Sequence, residues 1–527
     1  MSAEILDTEL ERSRVRHPDD PALLPSGSHI DGRALRGGVD AVADFVIVGS
    51  GASGATAAVV LAEAGYEVAV VEEGPWVRTS EFGTTMRSAT MNMVRGAATN
   101  VTSGGAFILV MQGSCVGGST AINSAIALRA PDDVIDGWKS HGLRDVISAA
   151  RLAPHFDSLE RDLHVHAVLP EMAGRNNEIF AHTARTLGLE PHTIRRYEID
   201  CEGSGRCITG CTTGRKQGMH VTFIPRALRA GARIYSSIKV ESVGVRGGRA
   251  VDVVGYATAE GGALPVRVRA RRGVVIAASA VQTPGILRRA GLRSPALGRH
   301  FLAHPGVSIM AALDKPVHMD FGATQGCNVL LPSDRLKLET IAFPPEIACA
   351  RIPGIGASFM QKFANYSHLA AWAVLVRAEA EGTVGSGLAG DSVNYQPSGK
   401  DMLGARKGMK LLAEMMFAAG AREVYPGAYG LPSVLTSPDE LNVFDRSPTD
   451  PRAYNMLISH MFGAARMGAD PRTSVVNTNF ETHHVSGLYV VDSSLFPTNL
   501  GVNPQHTIMA VARLGAQRIA DNARPVA

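Results

Sequence analysis

The sequence predicts an α/β chain in which one mainly parallel sheet domain is interrupted by a second domain inserted into it. Three observations predict this. A short apolar run at 44–48 is followed by a glycine-rich turn, a small-residue helix and a second apolar run at 67–71. The same strand-then-helix order returns at 273–290 and again at 488–520. Between those returns lies a long stretch with strand and helix patterns of its own and no repeat of fixed period.

Each element has a local reason. Phe45-Val46-Ile47-Val48 is apolar and largely β-branched without alternation, the pattern of a strand buried on both faces. Residues 55–64 are small and helix-forming, and Gly65 closes them. The strand at 67–71 ends in Glu72-Glu73-Gly74, completing a βαβ unit. Residues 75–129 are loop-rich. Residues 233–279 read as alternating strands, a β-meander with a turn at Arg246-Gly247-Gly248-Arg249. A buried parallel strand at 273–278 precedes a helix at 283–290. A strand is expected at 369–378, a helix at 401–419 ending at Gly420, a strand at 488–491 and a last helix at 507–520.

Composition narrows the function classes. The 527 residues carry 52 Lys+Arg against 49 Asp+Glu, a net charge of +3, with 45% apolar residues. That balance argues against a dedicated nucleic-acid binder, and the apolar content argues against disorder. Residues 1–40 are polar, with no apolar run behind a basic start, so no secretory signal is read there. Six cysteines are too sparse for a disulfide scaffold, and the expected setting is the cytoplasm. The uncharged stretch 96–128 is long enough to span a bilayer but is broken by Thr99, Asn100, Gln112, Asn123 and several glycines, which makes a poor spanning helix. The excess of glycine, 56 residues, asks where close backbone approach is needed.

The first answer is Gly49-Ser50-Gly51-Ala52-Ser53-Gly54, placed between strand and helix. Glycines there permit a tight turn, approach to a pyrophosphate and close helix–strand packing, while the helix N-terminus favours an anion. Glu72 at the end of the second strand is where a ribose hydroxyl needs an acceptor. This motif alone does not separate FAD from NAD.

Further segments do. Gly113-Ser114-Cys115-Val116-Gly117-Gly118-Ser119-Thr120-Ala121-Ile122-Asn123, Ser279-Ala280-Val281-Gln282-Thr283-Pro284-Gly285-Ile286-Leu287, His460-Met461-Phe462-Gly463 and Asn503-Pro504-Gln505-His506-Thr507 occur in one order along the chain. Together they resemble the signatures of the glucose–methanol–choline (GMC) flavoprotein oxidoreductases. The resemblance implies a Rossmann-like FAD-binding domain with an inserted α+β substrate domain on a mainly antiparallel sheet. The partition expected is an N-terminal extension (1–40), an FAD-binding domain (41–151, 201–300 and 455–527) and a substrate domain (152–200 and 301–454). Cofactor contacts are implied from the 49–54 turn, Glu72, Glu73, Gly113, Ser114, Gly117, Gly118, Ser119, Ile122, Asn123, Val240, Ala278, Asp492, Ser493, Asn503, Pro504, Gln505, His506 and Thr507. Some members attach flavin through a histidine just before the signature asparagine; Ile122 stands there in this chain, so the FAD is expected to be non-covalent. Ser114, Ala464-Ala465 and Asn477 depart from the usual pattern.

The implied reaction is oxidation of an alcohol by hydride transfer to flavin N5. A histidine suits removal of the hydroxyl proton because its ordinary pKa lies near neutrality. By resemblance His460 is that base and Asn503 its partner, with His506 as the competing partner. The electron acceptor is oxygen or a carrier such as a quinone, and oligomeric state is not readable. The Met402, Met409, Met415, Met416, Phe359, Met360, Phe363 and Trp372 region could pack as core or line a pocket for a primary or secondary alcohol of apolar or mixed body. A sugar or aminoglycoside-type alcohol, a flavin lyase, or a non-catalytic nucleotide binder are the alternatives. No metal site is expected. The loop Cys201-x5-Cys207-x3-Cys211, with Gly214-Arg215-Lys216, is read as buried thiols, one disulfide with a free thiol, or a metal cluster; it also resembles the long-chain alcohol oxidase branch of the family and related bacterial dehydrogenases.

Overall fold

The computed structural model describes residues 16–387 and 390–523; residues 1–15 of the expected extension lie outside them. Strand β1 (Val39–Val48) leads into helix α1 (Ala52–Glu63) and strand β2 (Val68–Val71). Helices α2 (Ala149–Asp162) and α3 (Arg175–Thr186) precede β3 (Arg233–Ser236), β4 (Ile238–Arg246), β5 (Arg249–Ala259) and β6 (Gly262–Ile276). Helix α4 (Ser279–Arg289) follows. Then come β7 (Gly306–Leu313), β8 (Cys327–Leu331), β9 (Leu336–Thr340), β10 (Leu369–Val376), α5 (Gly399–Ala418), β11 (Ala421–Tyr425) and β12 (Met456–Ile458). Strand β13 (Leu488–Val490) and helix α6 (Gln505–Ala523) end the described chain.

The first sheet runs in the order His29–Asp31, β3, β2, β1, β6, β5, β4, with β13 also on β6. Pairings among β3, β2, β1, β6 and β13 are parallel, and β4–β5–β6 form the antiparallel meander. Phe45 pairs with Val68 on one side and Gly273 on the other, so the run at 45–48 is buried between two parallel neighbours. Strand β1 begins at Val39, before the apolar run, because its first residues pair with 266–270 of β6 near the surface. Helix α1 packs close over this sheet because its inner face is made of small residues, Gly54, Ala55, Ala57 and Ala58 among them. A Cβ at Gly54 would collide with the carbonyl oxygen of Gly49.

The second sheet runs Leu109–Val110, β12, β7, β10, β9, β8, Pro191–Thr193, with β11 on β7. Every pairing in it except the one between β12 and Leu109–Val110 is antiparallel. Each sheet has its own core. Phe45, Val70, Leu228 and Val511 belong to the first, and Met310, Trp372, Leu412 and Phe444 to the second. Met402, Met409, Met415 and Met416 on α5 are buried in the second core, each adding on the order of 1.5–3 kcal/mol by burial. Helix α2 puts Leu152, Phe156 and Leu159 into the first core, while α3 puts Phe180 and Ala184 into the second. The polar stretch 96–128 forms short turns and bridges, and no helix among the described residues is long and apolar enough to cross a membrane.

Candidate active site

The dinucleotide loop is built by β1, α1 and β2. Gly51 caps α1 without a side-chain hydrogen bond, which leaves first-turn N–H groups free for an anion. Glu72 is buried at the end of β2. Its Oε2 accepts from Ser50 N (2.9 Å) and Ser50 Oγ (2.7 Å), and its Oε1 accepts from Gly74 N (2.9 Å). Burial raises its pKa and those three donors oppose the rise. Ser50 Oγ also accepts from Gly117 N (3.1 Å), which ties this loop to the second glycine loop. Gly118 has φ +54°, and a Cβ there would stand 2.9 Å from Gly51 Cα, so the loops meet main chain to main chain.

Other expected contacts are placed as follows. Ser119 Oγ accepts from Gly113 N at 2.9 Å. Asn123 Nδ2 donates to Gln505 Oε1 at 2.5 Å, joining the glycine loop to the start of α6, and Lys216 Nζ donates to the carbonyls of Ala121 and Asn123. Thr507 Oγ1 accepts from Ala130 N, and Pro504 lies buried just before α6. Val240 is buried on β4, Ala278 caps α4, and Ile122 packs beside Cys115. Ser114 N donates to the Met93 carbonyl. Asp492 accepts from Ser279 N (3.0 Å), Thr283 Oγ1 (2.6 Å) and Ser494 N (2.8 Å), with Ser493 buried alongside. Glu73 faces outward and pairs with Arg95 at 2.7 Å.

FAD fits this cradle on observations of the protein alone. Glu72 Oε1 accepts one hydrogen bond and has room for another. One buried polar atom near the loops, Nδ1 of His220, has no protein partner, and its ring packs on Gly117.

The residues expected to be catalytic, His460 and Asn503, lie beside short strands and β9 of the second sheet. The short strands Leu302–Ala303 and Met461–Phe462 pair antiparallel, and the next step of that ladder sets His304 beside His460. The two rings stand at 89° with Nδ1 of each 3.3 Å apart. His304 Nε2 accepts from Gly501 N at 2.9 Å. His460 Nε2 is 3.4 Å from Asn503 Nδ2. Asn503 Oδ1 accepts from Lys337 Nζ, and Lys337 pairs with Glu339 at 2.5 Å. His304, Lys337 and Glu339 escape sequence reasoning, since no motif marks them. Desolvation pushes the His460 pKa down to about 3, and the Lys337 charge pushes the same way. His304 is driven far down by burial, then by His460, Arg377 and Lys337.

His506 does not join this group. Tyr197 and Glu160 hold its ring, at 2.9 and 3.2 Å, beneath Phe156 of α2. The cysteine loop forms no disulfide, and all six cysteines are free thiols. Cys207 Sγ accepts from Arg196 at 3.0 Å, and Lys216 donates to the Cys207 carbonyl at 2.6 Å. Among the described residues no group of His, Cys, Asp and Glu is arranged to hold a metal.

Known proteins resemble the chain in sequence and in fold. The chain matches the family described as GMC oxidoreductase over residues 43–306 and 386–512. A GMC-type oxidoreductase of Mycobacterium tuberculosis is 33% identical over 474 residues, covering 89% of this chain and 74% of that protein. A long-chain-alcohol oxidase of Arabidopsis thaliana is 28% identical over 516 residues, 91% of this chain and 66% of its own. The formate oxidase of Aspergillus oryzae superposes with a TM-score of 0.71 over 92% of this chain and 98% of its own, at 16% identity, a likeness of fold. The chain belongs to the GMC oxidoreductases and is an FAD-dependent enzyme acting on alcohols.

Proposed function

We propose that this enzyme oxidises a primary or secondary alcohol of apolar or mixed body to the aldehyde or ketone, with His460 taking the hydroxyl proton and Asn503 donating to the substrate oxygen. The observation that carries the reading is the 3.4 Å approach of Asn503 Nδ2 to His460 Nε2, beside a segment hydrogen-bonded through Gln505 to the glycine loop at Asn123. Free N–H groups at the start of α1 would hold the pyrophosphate, and Glu72 a ribose hydroxyl. When bound, FAD supplies the two-electron acceptor. Ile122 in place of a histidine supports non-covalent attachment.

Neutral His460 keeps one ring nitrogen unprotonated at working pH, because desolvation and Lys337 oppose a second proton; it acts as base in the tautomer whose lone pair is on Nε2. Asn503 presents an N–H to the oxygen on which negative charge develops. The sparse cysteines, six in 527 residues, support a reducing, cytoplasmic setting. The test is anaerobic mixing of the yellow holoenzyme with aliphatic, aromatic, sugar and steroid alcohols, followed by oxygen or a quinone. Bleaching of flavin absorbance by aliphatic or aromatic alcohols is expected. Bleaching by sugars alone would overturn the substrate class. Product formed without bleaching would identify a lyase, and protein purified without FAD would remove the reading altogether.

A further inference from the structure

We infer that His304 fixes the tautomer of His460, and that the resting pair His460–Asn503 is consequently a two-donor site for an anionic or carbonyl oxygen. The inference rests on the reading of these two residues as the catalytic pair and deepens it.

The argument is a count of hydrogens along one chain of contacts. Gly501 N–H is a fixed donor and points at His304 Nε2 (2.9 Å), so that nitrogen holds a lone pair. A neutral His304 then carries its proton on Nδ1 and donates it across 3.3 Å to His460 Nδ1. A neutral His460, accepting at Nδ1, must carry its own proton on Nε2. At the other end Lys337 has no lone pair and donates to Asn503 Oδ1, so the atom of Asn503 facing His460 is its NH2 group. Two N–H donors therefore face each other across the longest gap of the chain, 3.4 Å, on the half-buried side of His460. Protein groups cannot relieve this, because both ends are anchored by obligate donors. An oxygen that accepts from both relieves it: an alkoxide, a product carbonyl or a carboxylate. Arg377 bears on His304 with positive charge, while Lys337 and Arg335 are paired with Glu339 and Glu379.

The same count shows what His304 does to the base. For His460 to accept a proton at Nε2, its own proton must sit on Nδ1, where it meets the Nδ1–H of His304. Moving the His304 proton to Nε2 sets it against Gly501 N–H. Either way the unmade contact moves from the 3.4 Å gap beside half-buried His460, where an outside oxygen relieves it, to a contact of buried His304 that no outside group reaches, a several-fold bias toward the oxyanion-binding form. His304 touches no reacting atom in this scheme; it is a positioning residue.

Acetate, titrated into the oxidised holoenzyme and read by perturbation of the flavin spectrum, measures the site without turnover. Saturable binding competitive with alcohol is expected. His304→Leu should weaken it about two- to fivefold by releasing His460 Nδ1 to take the proton and Nε2 to accept from Asn503. His304→Asn, which returns an N–H near the Nδ1 position, should restore it. Anaerobic flavin reduction in His304→Leu should not fall in parallel with acetate affinity. Absence of acetate binding in the unaltered enzyme would overturn the proposal. So would acetate affinity unmoved by His304→Leu, or a parallel loss of affinity and reduction that His304→Asn does not repair. Should the leucine variant not fold, 15N spectra of histidine-labelled holoenzyme, with His460 assigned by comparison with His460→Gln, read the tautomer directly: a protonated Nε2 supports the proposal and a protonated Nδ1 refutes it. His304-dependent acetate binding in a protein that oxidises no alcohol would sink the alcohol reading alone.

Discussion

Lys337 donates to Asn503 Oδ1, and this makes the amide nitrogen of Asn503 the atom that stands 3.4 Å from His460 Nε2. The lysine is fully buried on β9 and its charge is balanced by Glu339, two residues along the same strand. A buried ion pair contributes little net stability, but removing one partner strands the other. Lys337→Met should therefore cost about 3–5 kcal/mol. Adding Glu339→Leu should recover most of that loss without returning the amide to its orientation. Thermal unfolding and stopped-flow flavin reduction separate the two effects: the double variant is expected to be stable and still slow. A double variant that reduces flavin at the unaltered rate would show that Asn503 orients itself.

His460 and His506 provide a contrast between chemistry and packing. His460→Ala should slow flavin reduction by roughly 10²–10⁴-fold while FAD remains bound. His506 is held by Tyr197 and Glu160, so its ring links α6 to α2 and β-bridged chain around 197. His506→Leu leaves the Tyr197 hydroxyl without its partner, at about 1–3 kcal/mol. It should lower the melting temperature and leave the reduction rate within a few-fold of normal. If reduction instead collapses in His506→Leu at unchanged FAD content, the ring has a part in the reaction.

The local features were legible and the long-range ones were not. The β1–turn–α1–β2 unit is written in contiguous residues, because a buried strand, a glycine turn and a small-residue helix each follow from neighbours in the chain. His460 and Asn503 were found through motif resemblance, since nothing in their immediate surroundings shows that 43 residues of chain fold back to set them together. Lys337 and Glu339 stayed hidden for a physical reason: Leu336-Lys337-Leu338-Glu339 alternates as a strand with one solvated face does. In the fold all five residues of β9 are buried, and the charged face is turned to Asn503 instead of water. His304 depends on a pairing of only two residues per strand, too short to leave a pattern. The cysteine loop left three readings open; in the fold Cys207 Sγ lies against Arg196, a partner that the spacing of the loop does not reveal, and its carbonyl accepts from Lys216.

Stability should fall as the solution is acidified below neutrality, and buried histidines set the window. His460 and His220 are both lowered to about 3, by burial first and then by nearby Lys337 and Lys216 respectively. The folded pKa lies below the unfolded value of about 6.5, so between those two values the unfolded chain binds the extra proton. Each such histidine then removes up to about 1.4 kcal/mol of stability per pH unit as pH drops through the window, and none above it. His220 does not belong to the reactive pair, which makes it the cleaner probe. Denaturant unfolding of His220→Leu at about pH 7 and about pH 5 should show a slope shallower by close to one proton. An unchanged slope would mean that His220 is protonated in the folded protein.

Contact between the two glycine loops should be required for holding FAD. A Cβ on Gly113 would stand 2.5 Å from the Gly118 carbonyl carbon, which is main chain and cannot swing aside. Gly118 in turn lies against Gly51, and Gly117 N donates to Ser50 Oγ, the hydroxyl that also serves Glu72. Displacing this loop by a few tenths of an ångström therefore disturbs the Glu72–Ser50–Gly117 chain as well as the main-chain approach. Gly113→Ala should weaken FAD retention by at least about tenfold, the scale of one lost hydrogen bond to a charged group. The control is Gly37→Ala: a Cβ there meets nothing within 4 Å, and its backbone is not in the left-handed region. FAD released on dilution and dialysis, read from the 450 nm absorbance of protein and filtrate, is the measurement. Equal retention in the two variants would show that the cradle yields without loss, and that the glycine excess around 113–118 serves folding of the loop instead of the cofactor.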